Sequence, residues 1–440
     1  MAEDQLRAGC ASADITPPAG IHMGGYWGRR SGAIGIRDPL MAKVLVIAQG
    51  EERVALAALD LVGLEAAAVQ QFRAGMEGRV GIPAAGVMVC CSHTHAGPLT
   101  LPFRGMGDLD SAYLARVQEA VVGAAVRATD RLQPARLSYC RVPAHLGINR
   151  RQKREGRMVI GSNPEGPVAD YAHVLRVGQV ATLFSHACHP VILGKGNHQL
   201  SAEFPGAATR LLEARTGRPA LFVNGACGDI NPRLAHGGFD QVDQAGAELA
   251  EAVLQGLDSA RELEGGRLAC RSARVPLPLM DPPPRLLAEV EKLGLQLKAE
   301  IHRIAEDGGD LWAQRVPRAR LEWAEAMRGL ARQGVSGQVQ PFEIQALQLG
   351  GAVLLGMEGE IFVRYQLDLE PAAPLQPALL CGYANGCIGY VPTAEEYPRG
   401  GYEVDEAYKV YPSVQMIGPE SEGMIKAAAA RLLEELASGR

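Results

Sequence analysis

The chain has 440 residues, 47% hydrophobic and 21% charged, close to ordinary globular usage, so it can build an extensive core and is not a disordered chain. A formal net charge of −5 and a pI of about 6.1, with scattered basic residues, argue against a nucleic-acid surface or a polybasic membrane patch and point to a small-molecule partner. No run of ~18 or more uninterrupted apolar residues occurs, which argues against stable insertion of a helix in a membrane.

In chain order, the opening MAEDQLRAGCASADITPPAG is acidic and polar and does not resemble a secretory signal, so the expected location is cytoplasmic. The nine cysteines are an odd number and are expected as free thiols in a reducing compartment. Residues 54–61 and 87–91 are short apolar runs rich in β-formers, with helical patterns between and after them, notably 111–132. Further strands are expected at 136–142, 179–184, 220–223, 268–276, 344–349 and 352–357. Between 285 and 333, Leu286, Val290, Leu293, Leu297, Ile301 and Ile304 recur at steps of three and four, and Gly308 and Gly309 interrupt before a second helical stretch. This predicts a helical hairpin, read as an insertion packed on the sheet core or as a linker carrying a contact in a homo-oligomer. A last helix is expected at 420–436, and no internal repeat is visible. The expected architecture is α/β, a mixed β-sheet core with flanking helices, in one domain spanning 1–440 with the hairpin inserted near 285–333.

Most residues with chemical potential follow the predicted strands directly. His93 and His95 lie two apart after the run 87–91, where an extended chain would put them on one face. Both could then reach one metal, or one could bind it while the other handles protons. His189 follows the run 179–184, with His186 and His198 nearby; these two read as polar loop residues.

The segments SHTHAGP, SHACHPV, LSAEFPG, NGACGDINP, EGEIF and GYVPTAEEYPRGGYEV occur in the order and approximate spacing seen in neutral, non-lysosomal ceramidases. The chain resembles their catalytic domain from ADITPPAG to the last helix, least across the helical hairpin. The resemblance implies that His93, His189, Glu360 and Tyr390 hold a zinc ion, with Glu358 a competing carboxylate two residues from Glu360. Two imidazoles and a carboxylate are a common catalytic zinc set, and a phenolate as fourth ligand leaves a further position for water. It also implies that His95, Arg150 and Tyr402 surround the activated water and the scissile carbonyl, as proton carrier and oxyanion or leaving-group donors.

One departure stands out. Asn231 occupies a position where many ceramidases have serine, and asparagine cannot form an acyl-enzyme. Attack by metal-activated water is therefore expected, with Gly225, Gly228 and Asp229 forming a turn. The implied activity is zinc-dependent cleavage of an amide (N-acyl) bond. The alternatives are a zinc-dependent lactonase or esterase acting on a small polar substrate, and a non-catalytic metal-containing ligand-binding protein.

Overall fold

The structure, a computed structural model, describes residues 5–282 and 284–439. Three sheets carry the fold, each on the same plan. In the first, the hairpin of Met41–Gln49 and Glu52–Leu59 is followed by the helix Ala66–Val80 and by Val87–Cys91, which returns parallel to Glu52–Leu59. In the second, Tyr171–Val177 and Ala181–His186 pair antiparallel, the helix Glu203–Thr216 crosses over, and Ala220–Asn224 returns parallel. In the third, the hairpin is Val339–Gly350 with Ala352–Met357, the crossover Val363–Ala372 and the return Ala378–Cys381. The expected mixed α/β core is present, but as three sheets, and the topology contains a repeat that the sequence does not display. Arg7–Asp14, Leu137–Pro143 and Arg267–Pro278 extend the three sheets by one antiparallel strand each.

The strands read as unbroken apolar runs because both of their faces are buried. Alternate residues, among them Leu45, Leu56, Met88, Leu183, Leu221, Leu354 and Leu379, meet in one cluster shared by all three sheets. Their neighbours, among them Val44, Val89, Phe184, Phe222, Val353 and Leu380, pack under the helices. These include Ser111–Asp130 on the first sheet's side, Phe239–Ser259 on the second and Ser421–Ser438 on the third. Asp110 accepts the Tyr113 N–H at 2.8 Å and so caps Ser111–Asp130.

The three parallel returns converge at their carboxyl ends. Cys91 N–H donates to Tyr383 O at 3.1 Å, Gly382 N–H to Asn224 O at 3.0 Å, and the Asn224 amide to Ser92 O at 3.0 Å. The chemically interesting residues leave the sheets around this junction.

The helical hairpin is Pro284–Glu306 with Leu311–Arg332. It is not laid on a sheet face as expected. Val290, Trp323, Ala324 and Met327 form a small core against Tyr408 and Val414, Trp323 Nε1 donates to Val414 O at 2.9 Å, and His22 meets Trp312 edge-on at 5.4 Å. The hairpin thus braces loops that flank the junction. The nine cysteines are free, and among the described residues no helix is long and apolar enough to cross a membrane.

Candidate metal centre

His93 and His95 meet for a reason other than the one expected. The strand ends at Cys91, and His93 is left-handed with φ 67°, so a tight turn rather than strand alternation brings the imidazoles together. Such a conformation costs a residue with a Cβ of order 1–3 kcal/mol and persists only where the surroundings enforce it. Here His93 N–H donates to Leu61 O at 2.9 Å, His95 N–H to Pro190 O at 3.3 Å, and the Tyr383 ring stacks on His93 at 4.0 Å.

Two of the imidazoles are locked from behind. His93 Nδ1 lies 2.5 Å from Val62 O, and His189 Nδ1 lies 2.6 Å from Cys227 O and 3.1 Å from Ile230 O. Carbonyls only accept, so both Nδ1 atoms carry a proton and both Nε2 atoms face inward. There His93 Nε2 lies 3.0 Å from His95 Nε2, and Glu360 Oε2 lies 3.0 Å from His189 Nε2 and 3.5 Å from His93 Nε2. The ligand atoms of His93, His95 and His189 all fall within 4.8 Å of one another, a group that could hold a metal ion.

Glu360 is delivered by a two-residue parallel ladder in which it pairs with Tyr390, and its N–H donates to Gly389 O at 2.8 Å. The segment NGACGDINP supports it as a turn. A Cβ on Gly228 would fall 2.4 Å from Glu360 O, so only glycine allows this approach. Asp229 accepts the Val363 N–H at 2.7 Å, capping the helix that follows Glu360.

Arg150 is 4% exposed. It donates to Tyr390 Oη at 2.8 Å, Glu403 Oε1 at 2.8 Å and Asn231 Oδ1 at 3.2 Å, and its Nη1 lies 3.4 Å from His189 Nε2. Tyr390 therefore joins the cluster through Arg150. Tyr402 meets the Tyr390 ring edge-on at 5.9 Å and is 37% exposed, which places it at the open rim.

Burial governs the charges. It holds His189 down to about 4, helped by Arg150, and His95 well below its ordinary value, helped by His93 and His189, so both rings are neutral at pH 7. Burial would push Glu360 up, but the facing His93 and His189 outweigh it and hold the carboxyl well below the usual range. Burial opposes the charge on Arg150 too, and Tyr390, Glu403 and Glu360 more than restore it. Inward-facing Nε2 atoms beside an ionised carboxylate form a donor set that a divalent cation can bind, and the N and O donors suit zinc.

No protein-family model matches the chain, and no curated protein sequence matches it. Solved structures share its architecture. Neutral ceramidase from Pseudomonas aeruginosa superposes with a TM-score of 0.75 at 19% identity, covering 99% of this chain and 75% of that one. A ceramidase complexed with C2 gives 0.73 at 19% identity with the same coverage. The chain has the neutral ceramidase fold.

On this fold, the structure brings six of the seven site residues named from the sequence into one contact network, with Tyr402 at its edge. Glu358 does not join them. Its Oε2 accepts the Glu343 N–H at 3.1 Å, and the residue lines a separate cavity of about 380 Å³ with Glu65, Leu101 and Arg274. His186 Nδ1 is turned to Tyr171 O, and His198 Nδ1 to Ser31. Sequence reasoning missed Tyr411, whose hydroxyl makes a short bond to Glu360 Oε1, Glu403, which anchors Arg150, and Tyr26, edge-on to His95 at 5.0 Å. Glu403 directly follows Tyr402 in GGYEV and could have been found there; Tyr411 and Tyr26 sit in no recognised segment.

Proposed function

We propose that the chain is a zinc-dependent amidohydrolase that cleaves an N-acyl bond with activated water. The observation that carries this reading is the meeting of two Nδ1-locked imidazoles with one ionised carboxylate beside Arg150, on a fold shared with two ceramidases, enzymes that cleave an amide bond.

His93, His189 and Glu360, with Tyr390, would hold the ion. When bound, it supplies a water of lowered pKa and polarises the substrate carbonyl. His95 would serve as the proton acceptor beside these residues, its Nε2 3.0 Å from His93 Nε2. It is neutral, and its buried Nδ1 has no hydrogen-bond partner among the described residues, so its ring is not locked by a carbonyl as the other two are. Arg150 presents a fixed positive fork toward the developing oxyanion, and the Tyr402 hydroxyl at the rim donates to the oxyanion or the departing nitrogen. Asn231 holds Arg150 by its amide oxygen and takes no covalent part.

The test is metal analysis of the purified protein followed by a panel of N-acyl amides, lactones and esters. About one zinc per chain is expected, lost on His93→Ala or His189→Ala, with turnover of amides. Full metal content in both variants would overturn the assignment of the centre. Turnover of lactones or esters alone would replace the amidase reading.

A further inference from the structure

The segment LSAEFPG takes no part in the chemistry above, yet it contains an unusual residue. Glu203 opens the helix Glu203–Thr216, is 1% exposed, and has φ 57°. A left-handed residue with a Cβ is strained, and glycine would be the ordinary choice. The carboxylate gives the reason for glutamate. Its Oε1 accepts the Leu193 N–H at 2.8 Å and its Oε2 the Phe204 N–H at 3.4 Å, while Glu203 N–H donates to Ser201 Oγ at 3.0 Å.

Leu193 lies four residues after His189 in the loop 187–198, and in that loop Pro190 O accepts the His95 N–H. The residue two before Glu203 grips the other histidine loop. Ser201 O accepts from Thr94 Oγ1 at 2.8 Å, Ser201 N–H donates to Ala96 O at 2.9 Å, and Ser201 Oγ donates to Asp38 Oδ2 at 2.7 Å. The left-handed turn thus lets one short segment hold 93–96 on one side and 189–193 on the other.

We propose that Glu203 is a positioning residue that sets His189 against His93 and His95 for metal binding. It touches neither metal nor substrate and acts through Leu193. The proposal rests on the metal reading above.

The test compares Glu203→Gly and Glu203→Gln with the wild type. Glycine accepts φ 57° without strain, so the melting temperature of metal-stripped Glu203→Gly should stay within about 3 °C of wild type or rise. Its zinc affinity, read by competition with a chromophoric chelator, should fall at least ~10-fold, and the visible spectrum of the cobalt-substituted protein should change. Glu203→Gln keeps an acceptor for Leu193 N–H and should restore both. Wild-type zinc affinity in Glu203→Gly, or a loss matched by a collapse in melting temperature, would overturn the positioning role. A wild-type protein that binds no zinc would instead bring down the metal reading, and this proposal with it.

Discussion

Arg150→Lys is the sharpest test of how the centre stabilises charge. The guanidinium reaches Tyr390, Asn231 and Glu403 at once while its Nη1 stands 3.4 Å from His189 Nε2, a geometry that uses the planar fork. Lysine keeps the charge but not the fork. Glu403 also accepts from Arg151 Nη1 at 2.5 Å, so in Arg150→Lys no buried carboxylate is left without a cation, and the fold should survive. In Arg150→Ala the buried pair is broken outright, which typically costs ~3–5 kcal/mol. Loss of one preorganised oxyanion donor is worth roughly 2.7–4 kcal/mol, so kcat of Arg150→Lys should drop ~10²–10³-fold. Zinc content should hold, because Arg150 is not a ligand. Steady-state kinetics on the best amide of the panel, with elemental analysis of the same sample, measures both. Near-normal kcat, a loss confined to KM, or zinc falling in step with activity would refute the oxyanion role.

Three further outcomes are expected. His95→Ala and Tyr402→Phe should keep zinc and lower kcat, by ~10²–10⁴-fold for the proton carrier and ~10²–10³-fold for the donor; an empty site in His95→Ala would make His95 a ligand, as its 3.0 Å approach to His93 Nε2 allows. Asn231→Ala removes one hydrogen bond to Arg150, about 1 kcal/mol or ~5-fold in rate, and no acyl adduct should appear by mass spectrometry of wild type during turnover; an adduct would sink the water-attack mechanism. In metal-stripped protein His189 has a folded pKa of about 4, lowered from 6.5, so the stability it contributes is fully present above pH 6.5 and is lost as pH falls toward 4. By pH 4.5 the loss is about 2–3 kcal/mol, so wild type should lose melting temperature more steeply than His189→Gln between pH 7 and 4.5, and parallel curves would contradict the assignment.

Legibility from sequence followed the range of the forces involved. Val87–Cys91 and Ala352–Met357 were readable to the residue, because continuous apolar β-formers bounded by turn residues leave few alternatives. The strand expected at 344–349 runs instead from Val339 to Gly350, since its outer half is held by the long ladder with Arg267–Pro278 rather than by its own composition. The run expected at 179–184 is shifted to Ala181–His186, with Gln179 spent on the turn. His93, His95, His189, Glu360 and Arg150 were nameable because recognisable segments carry them. What failed was the reason two of them meet, since φ 67° at His93 is imposed by Leu61, Pro190 and Tyr383, distant residues no local pattern reports. Tyr411 was hidden for the same reason: its partner lies 51 residues away.

The three-fold topology explains why these distant segments meet at all. His189 and Glu360 each lie three residues past the second strand of their unit, after His186 and Met357, and the equivalent position in the first unit is Val62, after Leu59. Val62 supplies no ligand, but its carbonyl locks His93 Nδ1. His93 and Tyr383 likewise lie two residues past their parallel returns; both are left-handed, with φ 67° and 51°, and they stack on each other. The centre therefore takes one group from each unit at one level of the junction. Two units give an inward-facing donor at the second-strand position, and the third gives the carbonyl that aims the remaining imidazole. A repeated backbone with unlike side chains at equivalent positions thus brings two imidazole nitrogens within 3.5 Å of one carboxylate oxygen across the three units.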